Sequence, residues 1–273
     1  MEIPKFQSKK DLFDFLIKNE SRIIADKKAN MKKADAFNFG FFPVDKDGMT
    51  EKANKPVNED VDEITVRAII NTTNLMDTYD DVHIPGLWNK SLKENKDIWH
   101  DQEHRHEFAS TIAEGKDLTA YTKTYTWKEL GQKWEGETQA LVFDSTISKD
   151  GNNPFMFDQY KKGRVKNHSV GMQYVKIDLA VNDKTEYPNA YKVWEKYIDQ
   201  IANKERAEEL GYFFAVTEAK VIEGSAVKRG ANWVTPTEDN NVKSEPAQAT
   251  PEEPEKSTLE MTSDEIIKRI KSF

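Results

Sequence analysis

The chain has 273 residues, and at roughly 150 residues per domain that makes one domain with additions, or two small ones. Apolar residues are 37% and charged residues 32%, against about 45–50% and about 25% in ordinary globular chains, so part of the charge must lie outside a packed core. A net charge of −8 argues against a protein built to grip nucleic-acid phosphates, and zero Cys excludes disulfide scaffolds, thiol nucleophiles and thiolate metal sites. The N-terminus has no apolar signal-peptide core and no run approaches about 20 apolar residues, so a soluble, non-secreted protein without membrane partners is expected.

In chain order, residues 8–34 read as an amphipathic helix with Ser8 as N-cap and Leu12, Phe13, Leu16, Ile17, Ile23 and Ile24 as its apolar stripe. Residues 1–44 form a helical N-terminal extension on this reading, and the polar 45–62, with its Gly and Pro, a linker. From Glu63 the chain turns β-branched. Strands are expected at 63–71, 107–114, 118–127, 138–147, 168–181 and 212–229, and helices at 86–96, 154–163 and 189–210. Strands with interspersed helices and no βαβ alternation predict an α+β fold, a mainly antiparallel β domain with packed helices over 63–235. Residues 236–258, rich in Pro and acids, read as a disordered linker. The last stretch, 259–273, reads as a short amphipathic helix.

Candidate chemistry centres on few residues. Three of the five His lie in Trp99-His-Asp-Gln-Glu-His-Arg-His-Glu107; His100 and His104 would share one face of a helix, as zinc ligands do, but the flanks read as a loop entering a strand. Without Cys, a nucleophile must be Ser, Thr, Lys or activated water. Ser169 stands in Lys166-Asn-His-Ser-Val-Gly-Met-Gln-Tyr174, where a strand would put Ser169 and Gly171 on one face and His168 on the other.

Four ordered motifs resemble the prohead maturation proteases of tailed bacteriophages, serine proteases that share the herpesvirus assembly-protease fold, and the resemblance implies a small β-barrel-like domain with helices packed around it. Asn74-Leu-Met-Asp-Thr-Tyr-Asp-Asp-Val-His-Ile-Pro-Gly86, with Trp88 and Ser91-Leu92, is similar to that family's opening strand, turn and helix. Trp99-His100-Asp101 resembles its catalytic His-Asp pair, and Gly163 to Gly171 its nucleophile strand. Glu218 to Asn232 resembles its closing Glu-x-Ser strand, with Gly230 where the family usually has Pro.

The resemblance implies a Ser-His-Glu endopeptidase. Ser169 falls on the nucleophile, His100 on the general base and Glu223 on the acid that orients the imidazole, with His104 and His106 as alternative bases and Glu218 as the alternative acid. No cofactor and no metal is implied. The implied substrates are the major capsid protein and the scaffold protein, cleaved inside an assembling prohead in the host cytoplasm; self-trimming and a homo-oligomer are compatible with it. Two other readings stay open: a scaffolding protein that keeps the fold without the activity, and a metal hydrolase using His100, His104 and His106.

Overall fold

The computed structural model describes residues 6–29 and 60–239. The expected N-terminal helix is two: α1 (Lys9–Lys18) and α2 (Glu20–Ala29). Ser8 caps the first by accepting from the Asp11 N–H at 3.1 Å. Asn19 breaks the helix, its side chain bonding back to the Phe15 carbonyl at 2.8 Å. These helices are no loose extension. Phe13, Leu16 and Ile23 are buried in the main core, and Lys27 on α2 pairs with buried Asp81. The 45–62 linker is described only at 60–62, and the 259–273 helix lies outside the described residues.

Two sheets make the body. The first runs in the order β5 (Leu118–Thr126), β6 (Glu137–Ser148), β1 (Glu63–Thr72) and β9 (Thr237–Asp239), all antiparallel. The second is built around β8 (Tyr212–Val227), which pairs antiparallel along its length with β7 (Asn167–Val181). Two short strands pair with β8 in parallel, β2 (Asp81–His83) near its start and β3 (Trp99–Gln102) near its end; β4 (Thr111–Glu114) pairs with β3. The sheets face each other and do not close into a barrel, which corrects the barrel-like expectation. The parallel pairs were invisible because the strands they join are far apart in sequence and share no turn.

Period-2 alternation explains the core. Ala68 and Ile70 of β1, Leu141 and Phe143 of β6, Val170 and Met172 of β7, and Val216 and Val221 of β8 form one buried cluster between the sheets, the odd spacing of the last two being absorbed by register shifts between β7 and β8. The expected 189–210 helix is two, α5 (Pro188–Tyr197) and α6 (Lys204–Leu210), joined by a 3₁₀ turn. Trp194 and Tyr197 of α5 pack on Phe213 and Ala215 as core residues. Gly211 ends α6 at φ 78°, and a Cβ there would meet the Phe13 ring at 2.7 Å, so it serves both the helix stop and the docking of α1. Two further short helices, α3 (Asn89–Glu94) and α4 (Pro154–Lys161), flank the sheets; Asn153 caps α4. The strand expected at 107–114 is a 3₁₀ turn followed by the shorter β4.

The fold extends past Thr235, where the linker was expected to begin at 236. The Ile69 N–H donates to the Pro236 carbonyl at 3.0 Å, and buried Thr237 donates to the Val165 carbonyl at 2.8 Å. Three residues as polar as Thr-Glu-Asp carry no strand pattern; β1 supplies the order. Among the described residues no helix is long and apolar enough to cross a membrane.

Candidate active site

Three adjacent strands place the candidate residues on a lattice. In one cross-strand row Asp101 of β3, Ser225 of β8 and Ser169 of β7 stand side by side; in the next row on the same face stand Trp99, Glu223 and Gly171. The intervening row, His100, Gly224 and Val170, points to the opposite face. His168 belongs to that opposite face as well, as alternation predicts.

On the first face Glu223 is fully buried and meets an imidazole, that of His104 and not His100. His104 Nδ1 lies 2.5 Å from Glu223 Oε1. A carboxylate accepts, so Nδ1 carries the proton and Nε2 is left as the basic nitrogen. Ser225 fastens the pair: its hydroxyl donates to Glu223 Oε2 at 2.6 Å and accepts from the His104 backbone N–H at 3.1 Å. His104 gets there by a turn that the sequence does not advertise. Glu103 and His104 both adopt left-handed backbone conformations, at φ 54° and 56°, while the Glu103 N–H donates to the Ala226 carbonyl at 3.0 Å. Two consecutive non-glycine residues in that region cost on the order of 1–3 kcal/mol each and persist only where their surroundings hold them.

Gly171 is required by this packing. A Cβ at that position would run into the Glu223 carboxylate. The space that Gly171 leaves on the Ser169 face is thus occupied in part by the acid. Ser169 itself is 3% exposed, and its hydroxyl has no hydrogen-bond partner. The loop after β8 closes against it: a Cβ on Gly230 would meet the His168 carbonyl at 2.8 Å and the Ser169 Cβ at 3.5 Å. A cavity of about 10 Å³, room for one water, is lined by Ser169 together with Asn71, His83 and Asn232 among others.

His100, the expected base, is corrected by this geometry. It is fully buried on the far face with both ring nitrogens engaged, Nδ1 to Ser145 Oγ at 2.8 Å and Nε2 to Tyr160 Oη at 3.1 Å. Tyr160 also bonds His168 Nε2 at 2.9 Å, and His168 Nδ1 lies 3.0 Å from the Thr235 carbonyl. That carbonyl can only accept, which fixes the direction of the whole chain. His168 donates from Nδ1 and accepts Tyr160 O–H at Nε2; Tyr160 accepts His100 Nε2–H; His100 Nδ1 accepts Ser145 O–H. Both imidazoles are neutral in this arrangement. Burial and the neighbouring His168 push His100 well below its ordinary range, and burial brings His168 down to about 4.

The three clustered His therefore part company: His100 goes to Tyr160, His104 to Glu223, and His106 Nδ1 to Asp101 Oδ2 at 3.3 Å. Among the described residues no group of three His, Asp or Glu is arranged to hold a metal ion, which removes the geometry that the metal-hydrolase reading needs. The alternative acid, Glu218, faces Lys176 at 2.5 Å and Lys90 at 3.5 Å on the outside of the sheet. No family model matches the chain, and neither does any curated protein or solved structure.

Proposed function

We propose that this protein is a serine endopeptidase of phage head maturation, with Ser169 as nucleophile, His104 as general base and Glu223 as the acid that orients it. The observation that carries the reading is the buried Glu223–His104 pair, with Glu223 on β8, the strand paired in register with the Ser169 strand, and His104 in the loop after β3. In the reaction, the Ser169 hydroxyl adds to the scissile carbonyl as His104 Nε2 takes its proton. The imidazolium, held by Glu223, returns that proton to the leaving amine. Water then attacks the acyl-serine, His104 taking a proton from the water and delivering it to Ser169. The prohead setting, with capsid and scaffold proteins as substrates, rests on the motif resemblance.

The burial of Ser169 favours a second reading, an assembly protein that keeps the fold without turnover. A fluorophosphonate probe separates the two. The proteolytic reading expects one label on Ser169, absent from Ser169→Ala and from His104→Ala, together with loss of processing of co-expressed capsid protein. An unlabelled wild type with intact head assembly by Ser169→Ala would favour the assembly protein.

A further inference from the structure

The row that carries Ser169 ends in an acid that the triad does not use. Asp101 is 1% exposed, and its Oδ1 has no hydrogen-bond partner. A buried carboxylate oxygen without a partner is costly and is seldom kept for packing alone. Its Cα partner is Ser225, the residue that clamps Glu223 to His104. Burial first, and the Glu223 charge second, lift the Asp101 carboxyl to about 6, partly offset by Thr111 and His106. The charged and titratable groups that act on it are Glu223 from β8 and His106 from the loop after β3, with the Thr111 hydroxyl from β4; the same loop carries His104, bonded to Glu223 and Ser225, and the exposed Glu103–Arg105 pair.

From this juxtaposition we propose that Asp101 is a positioning residue: a second carboxylate, beside Glu223, that stabilises the positive charge His104 gains on taking the serine proton. The inference rests on the reading of His104 as the base. A charge several ångströms from the imidazole in a poorly hydrated site changes its protonation by about one pH unit, or about tenfold in rate. His106, on the surface side of Asp101, is a cation that partly offsets this carboxylate whenever it is protonated.

Asp101→Asn keeps the shape and removes the charge. Expected are a fall in kcat of about tenfold with KM unchanged, and an acid limb of the kcat/KM profile moved to lower pH by about one unit, because an imidazole that is harder to protonate remains a free base longer. His106→Gln, a surface change that leaves the Asp101 carboxylate in place, shifts the limb the opposite way and by less. A profile that does not move in Asp101→Asn, or that moves to higher pH, overturns the proposal. So that failure of the protease reading is distinguishable, the His104 imidazole is also followed by NMR in Ser169→Ala with and without Asp101→Asn. A His104 signal that loses its proton at lower pH in the double variant supports Asp101 even if no hydrolysis is ever detected. An unmoved signal removes it even if the protein cleaves.

Discussion

The same strands build two histidine clusters on opposite faces, and their chemistry is opposite as well. On the inner face, His100 and His168 share Tyr160, every ring nitrogen has a neutral partner, and burial keeps both rings uncharged. On the outer face, one residue away along each strand, His104 and His106 sit against the carboxylates of Glu223 and Asp101. A neutral chain that fixes itself in one direction has no spare capacity for a reaction. An imidazole against a carboxylate gains from becoming charged, which general base catalysis demands. One set of histidines thus serves to hold the sheets together, and the other is the set on which the proposed chemistry depends.

The sharpest break of this contrast is His104→Ala against Tyr160→Phe. The first should lower kcat/KM by about 10⁴-fold per folded molecule, as loss of a triad member does, and it also destabilises the fold because Glu223 stays buried without its partner. Gly171→Ala comes next. Its methyl group displaces the Glu223 carboxylate, and a misplacement of about 1 Å should cost on the order of 100-fold in kcat while the folded state survives by circular dichroism.

Tyr160→Phe removes the centre of the inner chain and leaves two imidazole nitrogens without a partner. A loss of about 2–3 kcal/mol in urea unfolding is expected, with activity per folded molecule nearly unchanged. The pH dependence of stability sharpens the comparison further. His168 binds its proton at about 4 when folded and near 6.5 when unfolded, so stability is whole above 6.5 and is lost as pH falls towards 4. Asp101 acts in the opposite sense, since a carboxyl raised to about 6 favours the fold at low pH, but His100, pushed well below its ordinary range by burial, adds to the His168 loss and leaves the net effect on the side of the histidines. A net loss on the order of 2 kcal/mol between pH 7 and 4.5 is expected in urea titrations, and less in Tyr160→Phe.

Alternation was enough to place much of this site from sequence. It put His168 behind the sheet and Ser169 in front with Gly171. It failed for Glu218 and Glu223, whose odd spacing predicts opposite faces of a regular strand: the register shift between Gly171/Glu223 and Met172/Val221 resets the alternation of β8, and what separates the two acids is their partners, Lys176 for one and His104 for the other. What it could not supply was the imidazole that meets Glu223. His104 depends on two left-handed residues after β3, and nothing about Glu103 or His104 announces that conformation, for which Gly or Asn is the usual signal. Ser225 was visible within the Glu-x-Ser motif, but its double hydrogen bond follows from β3 lying parallel to β8, a long-range pairing without a local signature. The small strand β9 and the split helices were missed for a related reason: short polar segments take their structure from the partner they meet.

The seating of α1 and α2 has a consequence for proteolysis of this chain itself. Phe13, Leu16 and Ile23 each bury enough apolar area to contribute about 1.5–3 kcal/mol, and Lys27 holds Asp81 beside them. Cutting the backbone anywhere between residues 30 and 59 would leave the first helices bound as a noncovalent fragment. Such a nicked protein would migrate as two bands in denaturing gels and as one species in native size exclusion.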